Sequence, residues 1–363
     1  MRLVSPFLKH VVYPGLSKAG YLRRAAGGGP AVLTYHGVLP AAYKIVDPFL
    51  DGNLLSADSF RQQLRFIAKR HNVISPKEFL LWCEAGHELP PRSILLTCDD
   101  GLRSSLFDML PILQEFDLEC LFFVTGASLS PTPTMLWYEE LYLMLLAAPE
   151  SFTLELLEIG LQAEVSQQEK RSSWWDLVTK LSQYDLNRRR TLLARIRMQL
   201  GLSEQWDAEY RDDPVLSRRF LMLRLAELHQ LREAGMSIGA HTLSHPMLSQ
   251  SSDDVAWNEI SECKRNLELA LEQEMWALAY PFGNSSSVTS RELEMAKRAG
   301  FKAAFLNAGG TFGTQTPKFA LPRVHITADI SLAEFEAHIS GFHRSLRELL
   351  RPARGSAVAG PNA

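Results

Sequence analysis

Cysteine is scarce in this 363-residue sequence and forms no recognisable pattern. None of the four cysteines belongs to a C-x-x-C pair; they stand at Cys83, Cys98, Cys120 and Cys263. This spacing excludes a zinc knuckle and a thioredoxin-like redox motif. Isolated cysteines in a chain of this length are typical of reduced core residues, which suits a reducing compartment.

The sequence also lacks an excess of charge of either sign. It has 38 Lys and Arg against 41 Asp and Glu, a formal net charge of −3. Non-specific binding to nucleic acid needs a basic surface that neutralises phosphates. We therefore expect no nucleic-acid partner. With 46% hydrophobic and 22% charged residues, the composition is that of a soluble globular protein with a full core.

Two catalytic signatures are missing as well. No G-x-S-x-G motif is present, so the sequence gives no support to a serine hydrolase. The glycine triplet at 27–29 precedes a predicted strand instead of following one, which excludes a phosphate-binding loop of the P-loop or Rossmann type.

No stretch of the sequence reaches the ~18–20 apolar residues of a membrane helix. Residues 1–24 lack the apolar core and cleavage site of a secretory signal, so we expect a cytoplasmic protein. Phe7–Leu16 is mildly amphipathic, and its polar face is not rich in Lys and Arg. Packing on the domain is therefore favoured over lying on a membrane. Peripheral association with the inner membrane or with a biosynthetic complex remains the alternative.

Short apolar runs alternate with helical patterns along most of the chain. A helical pattern begins near Ser56, and further helices are predicted at Ser104–Phe116 and Arg291–Ala299. The predicted strands are Ala31–Tyr35, Ser93–Thr97, Cys120–Thr125, Ser237–Ala240, Trp276–Tyr280 and Lys302–Phe305. Strand, helix and strand with short connections form a βαβ unit with parallel pairing. The order of elements thus predicts an α/β sheet or barrel.

Two segments depart from this alternation. Residues 137–217 are rich in Leu, Glu and Arg and poor in β-branched runs, which predicts several helices inserted between two strands. The chain from Arg351 onward is mostly Pro, Gly, Ala and Ser, which predicts disorder. The expected organisation is an N-terminal arm over 1–29, a main domain over 30–345 and a disordered tail over 346–363.

Two adjacent carboxylates follow the predicted strand Ser93–Thr97. The motif at 97–101 is T-C-D-D-G, at the carboxyl end of a strand, where α/β folds bind ligands. Successive side chains point in different directions, so one of Asp99 and Asp100 can face a metal while the other faces a water. An Asp-Gly turn with a helix-capping Asp explains the motif alone as well.

A pair of histidines follows the predicted strand Ser237–Ala240, in the motif H-T-L-S-H-P. Imidazole is a good ligand for zinc and its neighbours, and two histidines four apart can converge on one ion. Pro246 disfavours a helix at His245, so the pair is expected on a turn. A lone histidine is more simply a core or surface residue, but a pair at a strand end favours a metal site.

A third motif, Y-P-F-G, comprises Tyr280, Pro281, Phe282 and Gly283 after another strand. It forms either a rigid wall for a sugar ring or a plain hydrophobic turn. Combined with the first two motifs, it outlines a site with one Asp and two His on a metal. Three protein ligands leave a position open, which is the catalytic arrangement. The free carboxylate beside such a site is placed to act as general base.

The order T-C-D-D-G, H-T-L-S-H-P, Y-P-F-G and L-P-R resembles the polysaccharide deacetylase family (carbohydrate esterase family four, with the chitooligosaccharide deacetylase homology domain). The motif L-T-Y-H-G-V at Leu33–Val38 and the insertion from Leu136 resemble bacterial members linked to exopolysaccharide synthesis. The resemblance spans Ala31–Ile330. It implies a distorted (β/α) barrel with about seven strands that carries the helical insertion.

The resemblance also implies a function. The chain is expected to be a metal-dependent hydrolase that removes acetyl groups from N-acetylated sugars or polysaccharides in exopolysaccharide or cell-envelope glycan biosynthesis. Asp99 matches the catalytic base, and Thr242 matches a residue that steadies the site. The matching metal ligands are Asp100, His241 and His245. The metal implied is most often Zn²⁺, with Co²⁺ or Ni²⁺ as alternatives.

The sequence departs from the family pattern in three places, of which the third concerns the general-acid histidine described below. Cys98 replaces a Phe, and we expect a packing adjustment and not a catalytic thiol, since no base is near it in sequence. Ala279 stands where many members have an Arg that orients the catalytic Asp. Either Arg323 of the L-P-R motif supplies this charge, or the base is oriented differently.

The family's general-acid histidine lies in a late L-x-H motif. His325 follows Arg323 at alternate spacing on a predicted strand, so both side chains are expected on one face. His36, at the end of the first strand, is the rival for the role of general acid.

The sequence is also compatible with two other functions. Ala279 raises the alternative of a glycan-binding protein that has lost catalysis on the same scaffold. A deacetylase of O-acetyl or non-sugar substrates is the other, because a shared fold does not decide the substrate.

Overall fold

The computed structural model describes residues 6–22, 29–166 and 168–349. Nine strands form one parallel sheet in this part of the chain, and two more form an antiparallel hairpin. The strands are β1 (Ala31–Tyr35), β2 (Asn72–Ile74), β3 (Ser93–Cys98), β4 (Leu121–Val124), β5 (Ser151–Leu156), β6 (Leu161–Ser166), β7 (Ser237–Ala240), β8 (Ala277–Ala279), β9 (Ala303–Leu306), β10 (Leu321–Pro322) and β11 (Val324–His325).

Helices surround the sheet. They are α1 (Tyr13–Lys18), α2 (Ala57–Arg70), α3 (Pro76–Ala85), α4 (Leu110–Glu115), α5 (Trp137–Ala147), α6 (Lys170–Leu181), α7 (Leu186–Gln199), α8 (Ala208–Asp212), α9 (Pro214–Phe220), α10 (Leu225–Glu233), α11 (Asp253–Leu271), α12 (Ser290–Arg298), α13 (Leu332–Ile339) and α14 (Phe342–Leu349). π-helical turns at Leu8–Val12 and Ser105–Met109 lead into α1 and α4. Ser56 caps α2 by accepting a hydrogen bond from the backbone of Ser59.

One interrupted strand closes the sheet into a barrel. The strand order is β10-β9-β8-β7-β4-β3-β1-β11, and β10 and β11 are separated in sequence by Arg323 alone. Since β10 pairs with β9 and β11 pairs with β1, these two short strands share one position of the barrel. The eight strands therefore occupy seven positions, which confirms the predicted (β/α) barrel of about seven strands. β2 lies outside this path, against β3.

Alternation along the strands separates an inner core from an outer one. Inward side chains fill the barrel interior with Val32, Leu95, Leu121, Phe123, Ala277, Ala279, Ala303, Phe305 and Leu321. Their neighbours face the helices and include Leu33, Ile94, Leu96, Phe122, Ile238, Leu278 and Ala304. The same alternation turns the residues that end the strands toward the mouth of the barrel at its carboxyl end.

The insertion has a hydrophobic core of its own, and its predicted all-helical structure needs a correction. It contains α5–α9, but β5 and β6 form a hairpin between α5 and α6. The alternation that ends in Leu154 and Leu156 buries one face of β5. Gly160, at φ +61°, supplies the left-handed turn before β6. Two short amphipathic strands are easily missed in a Leu-rich segment.

The N-terminal segment packs on the barrel, as its weak amphipathicity favoured. Tyr13 and Leu22 are buried against Ala337 of α13, and the Tyr13 hydroxyl lies 2.6 Å from Nδ1 of His343. α14 continues to Leu349, past the predicted start of the tail at 346. The rest of that tail, and residues 1–5 and 23–28 of the predicted arm, lie outside the described residues. No helix in the described ranges is both long and apolar enough to cross a membrane.

Candidate functional site

The loops at the barrel mouth hold several residues in the left-handed backbone region. Of eight non-glycine residues with positive φ in the described part of the chain, four belong to the predicted motifs: Asp100 (74°), Thr242 (64°), His245 (58°) and Phe282 (59°). Each such residue costs on the order of 1–3 kcal/mol and persists only where its surroundings hold it. Clustering of this strain is typical of a functional site.

Asp99 is held by a two-pronged ion pair inside the barrel. Arg323 donates from Nη1 to Oδ1 of Asp99 at 2.7 Å and from Nη2 to Oδ2 at 2.6 Å. The guanidinium lies 5.3 and 5.9 Å from the ring centres of Phe123 and Phe305. Burial raises the pKa of Asp99, but Arg323 and then His241 outweigh it, so this pKa lies below its ordinary value. Asp99 is therefore ionised at neutral pH.

The missing arginine of the third motif is thus replaced from another strand. Ala279 faces the barrel interior on β8, and the charge reaches Asp99 from Arg323 in the strand that closes the barrel. The sequence left open whether Arg323 supplies the orienting charge or the base is oriented differently. In the structure, Arg323 supplies this charge.

Asp100, His241 and His245 converge at the mouth. One ligand atom from each lies within 4.8 Å of the others, and all three side chains are buried. Oδ1 of Asp100 is 3.5 Å from Nε2 of His241 and 3.3 Å from Nε2 of His245. Burial raises the pKa of Asp100, but hydrogen bonds with the two histidines outweigh it and hold this pKa well below its ordinary value.

The donor set fits a divalent cation. Ligands at the distances typical of tetrahedral zinc lie roughly 3.4 Å from one another, close to the separations of Asp100 from the two histidines. Nδ1 of His241 lies 2.7 Å from the carbonyl oxygen of Ala279, which can only accept. Nδ1 therefore carries a proton, so a neutral His241 would present the lone pair of Nε2 to a cation.

Buried polar contacts hold the turn that carries the two histidines. Thr242 Oγ1 accepts a hydrogen bond from the backbone of His245 at 3.0 Å, which agrees with a steadying role. Glu259 of α11 accepts from the backbone of Ser244 at 2.7 Å and from its hydroxyl. Nη1 of Arg189 in α7 also donates to the Ser244 hydroxyl, at 2.7 Å. The insertion thus directly contacts the turn that carries His241 and His245.

Of the two aromatic residues in the Y-P-F-G motif, only Phe282 contributes to the site. The Phe282 ring is half-buried and lies 5.0 Å from the His245 ring and 5.8 Å from Tyr138. Pro281 is buried beneath this turn. Tyr280 is not part of the wall, which corrects its predicted role. It is buried in the outer core, because alternation along β8 turns it toward the helices, and its hydroxyl donates to the carbonyl of Phe319.

The two candidate general acids lie side by side. The rings of His36 and His325 are 4.9 Å apart, and both are half-buried at the mouth. Burial, and next the proximity of His36, lowers the pKa of His325 to about 3. His325 is therefore neutral at pH 7. The structure brings both histidines to the mouth and leaves both as candidates.

Cys98 behaves as the predicted packing adjustment. Its side chain is in the outer core, with Sγ 3.6 Å from the Ser105 hydroxyl. Burial raises the pKa of the Cys98 thiol far above its ordinary value. A thiol in this environment is not a nucleophile.

Four residues at the site were missed from the sequence. They are Tyr138, whose ring lies 4.8 Å from that of His245, Arg189, Glu259, and Ala279 through its carbonyl. Tyr138 directly follows Trp137 at the start of the insertion, and this position is the one available signal. The other contacts cross between distant segments, and no local pattern reveals them.

Comparison with known proteins finds similarity to one family over part of the chain. Residues 204–304 match the sequence model of the polysaccharide deacetylase family. A protein named as a polysaccharide deacetylase, YxkH of Bacillus subtilis (strain 168), is 23% identical over 113 residues, 31% of this chain. That match spans only 39% of YxkH.

Two solved structures share the fold. The deacetylase PplD of Streptococcus pyogenes, in complex with acetate, aligns with a TM-score of 0.54 and 19% identity, over 85% of this chain and 97% of its own. IcaB from Ammonifex degensii aligns with a TM-score of 0.52 and 18% identity, over 86% and 98%. The family match over residues 204–304 agrees with the resemblance seen in the motifs, and the solved structures share the barrel fold.

Proposed function

We propose that the protein is a metal-dependent hydrolase that removes N-acetyl groups from an N-acetylated sugar or polysaccharide. The observation that carries the proposal is the ionised Asp99, clamped by Arg323, beside the cluster of Asp100, His241 and His245. A base next to a three-ligand metal site is the arrangement that hydrolysis of an amide needs.

Asp100, His241 and His245 would hold the cation, with Zn²⁺ favoured over Co²⁺ or Ni²⁺ for a set of two imidazoles and one carboxylate. When bound, the ion supplies a Lewis acid that polarises the acyl oxygen and acidifies a water.

Asp99 accepts the proton of the attacking water. Because Arg323 holds both of its oxygens, the carboxylate is oriented before the substrate arrives, and it need not reorganise during the reaction. The departing nitrogen needs a proton, and His325 and His36 are the candidate donors. Since burial keeps His325 neutral at pH 7, it can act as the donor only after the proton that Asp99 accepts from the water has been passed to it.

The mouth of the barrel also presents unpaired polar atoms. Among the buried side-chain atoms without a hydrogen-bond partner in the described part of the chain are Thr34 Oγ1, His36 Nδ1, Thr125 Oγ1, His245 Nδ1, Asn307 Oδ1 and His325 Nε2. Buried polar atoms are normally satisfied by protein, water or ligand. Their position at or near strand ends supports a polar ligand here, and Phe282 adds an apolar wall for a sugar ring.

We further propose that the glycan belongs to exopolysaccharide or cell-envelope biosynthesis, which rests on the L-T-Y-H-G-V strand and the insertion. We also propose a cytoplasmic location, with peripheral association at the inner membrane or with a biosynthetic complex.

The test is acetate release. Protein stripped with a chelator and reloaded with zinc is assayed on N-acetylglucosamine oligomers, in parallel with Asp99→Asn and His245→Ala. We expect acetate from the reloaded protein and none from the stripped protein or either variant. Zinc binding, measured by competition with a chromogenic chelator, should be lost in His245→Ala and kept in Asp99→Asn. Activity that survives Asp99→Asn or metal removal would overturn the proposal.

The alternative of a glycan-binding protein without catalysis loses its motivation, because Arg323 supplies the charge that Ala279 lacks. Oligomer binding with bound zinc and no acetate release would revive it. A parallel panel of O-acetyl esters and simple acetamides separates an N-acetyl glycan deacetylase from one with other substrates.

A further inference from the structure

An aromatic surface leads from the metal-binding turn to the outside of the protein. The His245 ring lies 5.0 Å from Phe282, and Phe282 lies 5.8 Å from Trp175 in edge-to-face contact. Trp175 is 40% exposed. The surface therefore runs without a break from a metal ligand to a solvent-facing indole.

Packing within the insertion fixes the outward position of Trp175. Its neighbour Trp174 is buried and donates from its indole nitrogen to the carbonyl of Tyr138 at 2.7 Å. Trp174 also contacts Phe49 edge-to-face, with ring centres 5.2 Å apart. With Trp174 anchored in this way, the register of α6 leaves Trp175 facing solvent beside Phe282.

An exposed tryptophan beside a site is a feature that a ligand explains. A large apolar side chain gains about 1.5–3 kcal/mol on full burial, so exposure forgoes a stabilising contact. Flat aromatic rings that join an apolar face to a polar edge suit ligands of the same mixed character. A pyranose ring has this character, with C–H groups on its faces and hydroxyls at its rim.

We propose that Trp175 forms a second sugar subsite, which stacks the residue next to the one whose acetyl group is removed. The inference rests on the proposed deacetylase function and deepens it. The substrate is then a chain of N-acetylated hexosamines and not a single sugar. Trp175 is a specificity-determining residue in this account, supplied by the insertion and not by the barrel.

The test compares substrates of different length. Acetate release is measured on N-acetylglucosamine and on its β-1,4-linked dimer and tetramer, for the wild type, Trp175→Ala, Trp175→Phe and a control. Met198→Ala is the matched control, because Met198 lies in α7 of the same insertion and is also an exposed apolar residue. Circular dichroism and the unfolding temperature establish that each variant is folded.

We expect the ratio of kcat/KM for tetramer to monomer to fall about fivefold to tenfold in Trp175→Ala, the effect of one aromatic contact. The change should appear in KM more than in kcat. Trp175→Phe should recover part of it, and Met198→Ala should keep the wild-type ratio. A ratio in Trp175→Ala equal to that of the wild type overturns the proposal.

Binding provides a readout that does not depend on catalysis. Calorimetric titration of Asp99→Asn with the tetramer should show about fivefold to tenfold weaker binding when Trp175→Ala is added. If the wild type releases no acetate but this loss of affinity is seen, the deacetylase function fails and the subsite stands. If the tetramer does not bind, or binds equally with and without Trp175, the subsite is wrong.

Discussion

The buried pair of Asp99 and Arg323 leads to the sharpest prediction. Neither side chain is more than 1% exposed, and two short charged hydrogen bonds join them. Arg323→Met fills the space between Phe123 and Phe305 with an apolar chain and leaves the Asp99 carboxylate without its partner. Removal of one partner of a buried pair costs about 3–5 kcal/mol, a large part of a total stability of about 5–15 kcal/mol.

A double-mutant cycle separates the lost pair from lost packing. The free energy of unfolding is measured in urea, with chelator present throughout, for the wild type, Arg323→Met, Asp99→Asn and the double variant. Each single change leaves one buried charge, whereas the double change leaves none. The double variant should therefore be at least about 2 kcal/mol more stable than the sum of the single losses predicts.

Arg323→Lys extends the same reasoning to activity. Lysine keeps the charge but not the planar fork, so acetate release should lie between that of the wild type and that of Arg323→Met. Additive losses in the cycle, or an Arg323→Met protein that is destabilised by less than about 1 kcal/mol, would refute the assignment of Arg323 as the group that holds Asp99.

Three further predictions follow from other contacts. Arg189→Met should weaken zinc binding about tenfold in a chelator competition, because Arg189 holds the Ser244 hydroxyl in the turn that carries His241 and His245. Arg190→Met, at the exposed neighbouring position, should leave the zinc affinity unchanged. Equal affinities of the Arg189→Met and wild-type proteins would refute this role. Burial, and then the nearby His343, lowers the pKa of His338 to about 3. In the unfolded chain this histidine has an ordinary pKa near 6.5, so the unfolded chain takes up the proton first as the pH falls. The stability of the folded protein therefore decreases as the pH drops from about 6.5 to about 3. In urea titrations, His338→Gln should therefore lose less stability between pH 7.5 and 5 than the wild type does. His87→Gln, at an exposed position, should lose as much as the wild type. A pH dependence unchanged by His338→Gln would contradict the predicted direction of the effect. Finally, all four cysteines are buried, so a thiol reagent should react slowly with the native protein and should modify four thiols after unfolding. Cys98→Ala should still release acetate at saturating zinc, because the Cys98 thiol is buried and its pKa is raised. Loss of activity in that variant would show that the thiol is functional.

The sequence was sufficient for the barrel because the signals involved are local. The apolar runs predicted β1 and β7 with their observed bounds, and β3, β4, β8 and β9 to within one residue at either end. Strand ends of a parallel barrel meet at one mouth, so the D-D and H-x-x-x-H motifs could be expected to converge before any coordinate was known. Local rules also failed where signals were weak, as in the hairpin of β5 and β6.

Tertiary structure decided what holds these residues. Tyr280 lies in the outer core and Ala279 in the inner one, a difference of a single position in register that the motif does not reveal. Arg323 reaches Asp99 because the last strand is interrupted at that residue and closes the barrel between β9 and β1. The contacts of Arg189 and Glu259 with the turn that carries His241 and His245, and of Trp175 with Phe282, join segments far apart in the chain. Residue types and their local spacing thus determined the chemistry of the site, whereas its orientation and its access to substrate depend on closure and packing, which no stretch of sequence contains by itself.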